Sequence, residues 1–200
     1  MVAPVNGEAL ELVRGHCDIE ARLAAIPPSA RQRGLTFGAL RDAVRRAGAE
    51  QRYDELFDRP RFQALKTYPL AEYMLHLAVI GALVRSPSEV LEGIREANRN
   101  FARAYADTLL GRTVIRLLSN NPVKLSEQGL AMRRNTSLYG HWELVHHGPR
   151  EIEMIYRDEY MWIEHAVAGA AQGTFEACGM TPTLETRLID RYNGSTLIRW

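Results

Sequence analysis

Histidine and carboxylate residues at short spacing are the groups in this 200-residue chain that could do chemistry. His141 and Glu143 flank Trp142 in a His-x-Glu pattern that superficially matches zinc deaminases, whose metal shell is completed by a downstream Pro-Cys-x-x-Cys. None follows here. Strand alternation still puts both side chains on one face, either as a metal pair or as an ordinary solvated polar pair. Glu72 and His76 stand four apart on an apolar helical stretch, the spacing of an acid and a base, of two ligands, or of a polar pair at a helix edge. Trp162 and His165, with Trp142 and Tyr156, could line an aromatic cavity; the alternative is an ordinary helix-on-sheet core. Tyr105, Arg103 and Arg112 could hold an anionic head group, although arginines on helix surfaces are usually solvated. His146 and His147 precede Gly148-Pro149 and are expected to be exposed in a turn. The candidate ligand contacts are therefore Tyr73, His76, Tyr105, Arg112, Trp142, Trp162 and His165. No catalytic set and no metal set is expected.

Composition narrows the classes. The chain has neither Gly-x-Gly-x-x-Gly nor a phosphate loop, and neither His-Glu-x-x-His nor Gly-x-Ser-x-Gly, which removes the common enzymes that leave a short local mark. Lys plus Arg at 25 against Asp plus Glu at 24 gives no net field toward nucleic acid or an anionic membrane. Cys17 and Cys178 are too few for a disulfide framework or a four-thiolate zinc site. Met-Val-Ala-Pro-Val-Asn-Gly-Glu lacks the regions of a signal peptide, and no apolar run approaches membrane-spanning length, so a soluble, cytoplasmic protein is expected.

The elements that must position these residues follow from periodicity. In Ser137–Val145, alternation puts Leu138, Trp142 and Leu144 on one side of a strand; after the turn at His147-Gly148-Pro149-Arg150, Ile152, Met154 and Tyr156 share a face. Residues 160–178 switch to helical spacing, with Gly179 placed to cap the end. Leu184–Ile189 and Ser195–Trp200 flank Tyr192-Asn193-Gly194, where Asn-Gly predicts a tight hairpin. Upstream lie helices: one or two short ones over residues 7–24, one from a Thr36 cap to Gly48 with Arg41, Arg45 and Arg46 on a solvated face, a short piece near Tyr53–Phe57, and a strongly apolar helix over Leu70–Val84 entered through Tyr68-Pro69. Ser86-Pro87-Ser88-Glu89 starts another to about Tyr105, and Thr108–Leu118 a further one, broken by Asn120-Asn121-Pro122. The fold class is α+β: N-terminal helices packed on a C-terminal antiparallel sheet of β-β-α-β-β order. Residues 1–26 read as a helical extension and 27–200 as a single domain.

Three stretches carry a resemblance: Pro27-Pro28-Ser-Ala-Arg-Gln-Arg-Gly34-Leu35-Thr36-Phe37; Tyr68-Pro69 with Glu72-Tyr73; and Gly140 through Tyr156-Arg157-Asp158 to Gly173-Thr-Phe-Glu-Ala-Cys-Gly179 and Trp200. They resemble a myxobacterial paralogous family of unknown function. More remotely, the element order is similar to the superfold of heme nitric-oxide-binding domains, four-vinyl-reductase ligand sensors and Golgi transport particle subunits. The resemblance implies either a small molecule held between helices and sheet or a dimerising scaffold. It also supplies contrasts. Heme binders of this class use a helical proximal His and a Tyr-x-Ser-x-Arg grip on the propionates, whereas Tyr139-Gly-His-Trp-Glu143 has neither Ser nor Arg. Gly111-Arg112 and Gly169 with Gly173 look like family positions of close backbone approach. The resulting expectation is a non-enzymatic sensory or regulatory domain for an apolar or aromatic ligand, without cofactor, metal, nucleic acid or membrane insertion, and homodimeric. The alternatives are a dimerising scaffold with no ligand, and an enzyme built on Glu72 with His76 or on His141 with Glu143.

Overall fold

The computed structural model describes residues 7–58, 61–107 and 121–200, with side chains described outside 101–107. These residues divide into two compact units, one comprising the chain up to Ala97 together with Thr136–Leu138, the other Asn98–Asn135 with Tyr139–Trp200.

The first unit is mainly helical. α1 (Gly7–Val13) and α2 (Ile19–Ala25) bury Ala9, Val13 and Ile19, and are followed by a short strand β1 (Arg31–Arg33), α3 (Gly34–Arg46) and α4 (Glu50–Leu56). β2 (Thr67–Pro69) runs directly into α5 (Leu70–Val84), as Tyr68-Pro69 predicts: Pro69 stands at the N-cap with extended backbone, and the Leu70 amide donates to the Ala30 carbonyl at 3.0 Å. Every residue from Tyr73 to Ala82 is buried, because α1, α2, α3 and α4 all pack on this helix. A helix enclosed on all sides has no polar face to keep, which accounts for its apolar circumference. Past a 3-10 turn at Pro87–Glu89, α6 (Val90–Asp107) crosses α5 so closely that a Cβ on Gly93 would lie 2.0 Å from the Gly81 carbonyl oxygen.

Two local expectations change. Thr36 does not cap α3; the helix already begins at Gly34, its first amides donate to the carbonyls of Lys66 and Ala64, and the Thr36 hydroxyl donates to the Arg33 carbonyl at 2.7 Å. Arg41 is not merely solvated, since its guanidinium lies 2.8 Å from each Asp54 oxygen and 3.1 Å from Glu50, joining α3 to α4.

Within the second unit, α7 (Pro122–Thr136) begins where the sequence pattern indicates only a break. Asn121 Oδ1 accepts the Lys124 amide at 3.0 Å and Pro122 occupies the first helical position, a standard helix start. The single strand expected over Ser137–Val145 is two. β3 (Ser137–Leu138) belongs to the first unit, where it pairs with β1 in a three-stranded sheet of order β2-β1-β3, and Leu138 is 49% exposed rather than in the core. The chain reverses at Gly140, whose φ of +60° a side chain would resist and whose Cβ would lie 2.7 Å from the Asp158 carbonyl.

β4 (His141–Gly148), β5 (Glu151–Arg157), β6 (Thr183–Leu188) and β7 (Gly194–Arg199) form an antiparallel sheet of order β4-β5-β7-β6. Between β5 and β6 the chain makes one π-helical turn (Ile163–Val167) and then α8 (Ala168–Ala177), so the order is strand, strand, helix, strand, strand and the class is α+β. Ile152, Met154, Tyr156, Thr196 and Ile198 are the buried face of the sheet. α8 approaches α6 closely, with a Cβ on Gly173 falling 2.1 Å from the Arg99 carbonyl oxygen, and Arg99 clamps Glu176 with bonds of 2.7 and 2.6 Å. Its end is a Schellman stop: Gly179 at φ +76° donates to Glu176 O, and Met180 to Phe175 O. The second hairpin lacks the tight Asn-Gly turn. Asp190 organises a longer loop instead, accepting the amides of Tyr192 and Asn193 at 2.7 and 2.9 Å, while Gly194 is already in β7. No single helix among the described residues is long and apolar enough to cross a membrane.

Candidate functional site

α5 carries the most unusual side chain of the first unit. His76 is 3% exposed, and burial alone pulls its imidazole down to about 3, so the ring is neutral at ordinary pH. Its Nδ1 lies 2.7 Å from the Tyr53 hydroxyl on α4. Burial also raises the Tyr53 phenol well above its usual range, so the two form a neutral hydrogen-bonded pair. Rings enclose them. Phe57 stacks on His76 at 3.7 Å between centroids, and Phe62 stacks on Phe37 at 3.9 Å. Phe37 and Phe62 also meet His76 edge-on at 5.4 and 5.2 Å, and Tyr73 meets Phe37 at 5.1 Å. Tyr73 and His76, both expected from the sequence, thus share one aromatic wall. Glu72, the carboxylate four residues before His76, is half-buried with its pKa raised by desolvation, but the hydrogen-bond partner of His76 is Tyr53.

The second unit has a different arrangement around Trp142. Trp142 is half-buried on β4, its ring edge-on to Tyr156 at 5.0 Å, as the alternation of both strands predicts. Its indole N–H does not face an apolar cavity: it donates at 2.7 Å to Glu159, a fully buried carboxylate in the connection after β5. Arg133 from the end of α7 donates to the same oxygen at 2.9 Å. The Tyr139 hydroxyl and the Met161 amide donate to the other oxygen at 3.1 and 2.9 Å. The Arg133 guanidinium lies over the Tyr139 ring at 4.2 Å and the Trp142 ring at 5.0 Å, a cation held between aromatic faces. Arg133 and Glu159 carried no local motif in the sequence. Both fall among ordinary charged residues at an element's end, and only the folded chain brings them together.

Trp162 is 3% exposed and heads the π-helical turn; its carbonyl accepts the amides of His165, Ala166 and Val167 at 3.2, 2.7 and 3.3 Å. His165 is half-buried within that turn. The side chain of Tyr105 and all of Arg112, like Gly111 and the Thr108–Leu118 helix, lie outside the described residues. His141 and Glu143 are both exposed on β4. Across the sheet's polar face, His147, Glu151, Glu153, Glu185, Arg187 and Ser195 line an open recess of about 200 Å³ in which His147 meets Glu153 at 2.9 Å and Arg187 meets Glu185 at 2.6 Å, while Glu151 pairs with Arg199. No group of three or more metal-ligating side chains occurs among the described residues.

Solved structures similar to this chain are H-NOX proteins. A point mutant of the Fe(II) unliganded H-NOX protein from K. algicida matches with a TM-score of 0.63 at 15% identity, covering 84% of this chain and 95% of that one. The Fe(II)NO ligation state of an H-NOX protein from S. oneidensis matches at 0.58 and 10% identity, covering 84% and 98%. A structure concerned with modulating heme redox potential through protein-induced porphyrin distortion matches at 0.60 and 14%, covering 84% and 99%. At these identities the likeness establishes an H-NOX-like fold. No curated protein matches. The family model described as protein of unknown function (DUF2378) matches residues 26–200, and the chain belongs to that family.

Proposed function

We propose that the chain is a non-enzymatic sensory domain that takes a flat, uncharged aromatic or apolar molecule against the Phe37–His76 wall. The observation carrying this reading is the pair of parallel ring stacks, Phe57 on His76 and Phe62 on Phe37, next to one neutral polar pair. Apolar walls with a single convergent hydrogen-bonding group are what small-molecule sites are made of. Phe57 and Phe62 are both only half-buried and flank the connection after α4, so they are the rings a flat ligand would replace. Tyr73 closes the wall beyond Phe37. The similarity to H-NOX proteins supports a sensory rather than a catalytic role.

Heme does not fit the residues present. Tyr139 has His141 and Glu143 where the grip on a propionate would need Ser and Arg, and its hydroxyl is already bonded to Glu159. A second reading, a dimerising scaffold without a ligand, is favoured by the close contact of those same rings, which leaves the core filled. Native mass spectrometry of protein purified without added ligand, compared with the denatured chain, separates the two. Extra mass lost on denaturation is expected. Indole, used as a probe, should shift the His76 imidazole resonances saturably, and more tightly in Phe57→Ala. A bare dimer whose His76 signals ignore indole in both proteins would favour the scaffold.

A further inference from the structure

We infer that Arg133, Tyr139, Trp142 and the Met161 amide form a carboxylate receptor whose occupant is the chain's own Glu159, a tethered ligand that closes the site to carboxylates from solution. This does not depend on what binds at His76.

The donor set is selective for a carboxylate. Arg133 Nη2 and Trp142 Nε1 converge on Oε2 at 2.9 and 2.7 Å, and the Tyr139 hydroxyl and Met161 N–H on Oε1 at 3.1 and 2.9 Å. An ionised carboxyl offers acceptors on both oxygens and no donor, which matches two donors on each side. A carboxamide of the same shape would turn an NH2 toward two donors. A plain buried ion pair would need Arg133 and Glu159 alone. Here three neutral donors from separate segments complete the shell, and the guanidinium is held over two aromatic rings. Glu159 itself is fully buried and Arg133 is 9% exposed.

The tether is held independently of its side chain. The Glu159 amide donates to Tyr192 O at 2.9 Å, and the Asp158 amide to Asn193 Oδ1 at 3.1 Å. Asp158 takes a left-handed φ of +53°, a conformation that Asp tolerates better than most L residues and that turns the chain before Glu159. Truncation at Glu159 should therefore leave the receptor standing and empty, open to a small free carboxylate. The disagreement with heme has the same origin, since Tyr139, Trp142 and Arg133 already donate to Glu159.

The test uses full-length Glu159→Ala. Its thermal midpoint and Trp fluorescence are titrated with sodium acetate against sodium chloride at equal ionic strength, up to about 100 mM. The variant should gain a saturable, acetate-specific rise in midpoint with a millimolar dissociation constant, at least tenfold weaker after adding Arg133→Met. Wild type should respond to both salts alike. If Glu159→Ala is unfolded in chloride, recovery of its far-UV circular dichroism in acetate supports the receptor. A variant that treats acetate and chloride identically, folded in both or unfolded in both, overturns it.

Discussion

Replacing the Tyr53–His76 pair by apolar side chains should remove a defined part of the pH dependence of stability. The imidazole lies at about 3 in the folded chain against an ordinary 6.5, entirely through burial. Above the ordinary value the ring is neutral in both states and contributes no pH dependence. As pH falls below it, the unfolded chain takes up a proton that the folded chain refuses, so the unfolded state is favoured and stability is lost. At about pH 5 the loss amounts to about 2 kcal/mol, and at about pH 4 to about 3 kcal/mol, if this is the only group considered. The size at pH 5 is insensitive to the folded value, provided that value stays well below 5. The comparison is wild type against Tyr53→Phe/His76→Leu, which removes both polar groups together and strands neither. Urea unfolding near pH 8 and near pH 5 gives four free energies. Glu72 and the surface carboxylates titrate in both proteins and cancel in the difference. Wild type should lose about 2 kcal/mol more than the double variant over this interval. Equal losses, or a His76 resonance that titrates near 6.5, would refute the description of His76 as a neutral core group.

Two further outcomes follow from the backbone. Gly93→Ala and Gly173→Ala each place a methyl about 2 Å from a carbonyl oxygen and should cost about 1–3 kcal/mol or more in urea unfolding, whereas Gly129→Ala, exposed on α7 with no atom within 4 Å of the new Cβ, should stabilise by up to about 1 kcal/mol. Asp190→Ala should speed amide hydrogen exchange at Tyr192 and Asn193, both bonded to its carboxylate, without altering exchange in α5; unchanged rates would mean that the loop does not depend on Asp190.

The sheet was legible because its alternation is strict: Ile152, Met154 and Tyr156 are 0%, 7% and 1% exposed, and every second residue of β5 faces the core. α5 was legible because an uninterrupted apolar run after Tyr68-Pro69 has few other ways to be satisfied. Local signals misled where a residue served a distant contact. Gly194 looks like a turn glycine, yet it is in β7, where a Cβ would lie 2.5 Å from the Arg187 carbonyl, and its smallness serves that approach. Asn121-Pro122 looks like an interruption because the residue types that break a helix are also those that start one. His76 could be singled out by type and position, but Tyr53 is 23 residues earlier in the chain, and no spacing rule connects α4 to α5. Glu159 was invisible for the same reason. A glutamate after a strand is ordinarily solvated, and only the convergence of α7, β4 and the loop after β5 gives this one donors on both carboxylate oxygens.

Each of these two settings, taken in its own unit, disfavours an anion from solution. Around Glu159 every polar atom of the carboxylate is matched, with an arginine among the donors; hydrogen bonds to charged groups contribute about 1.5–3 kcal/mol each. A carboxylate arriving from solution would have to displace a tethered one whose effective concentration is on the order of millimolar or higher. Around His76 the single polar pair is neutral and the walls are aromatic, so a charged molecule placed there would lose its hydration with no opposite charge to offset the loss. The His76 wall on its own therefore disfavours any ion. What the proposed wall would accept is a neutral, flat, largely apolar molecule able to stack on the His76 imidazole in place of Phe57 and to exchange one hydrogen bond with Tyr53 or His76. Indole has that shape and a single donor, whereas indole-3-acetate adds a carboxymethyl group and with it a negative charge. A His76 shift produced by indole and absent with indole-3-acetate at the same concentration would follow from this selection. Equal shifts from both would show that neutrality is not what the wall reads.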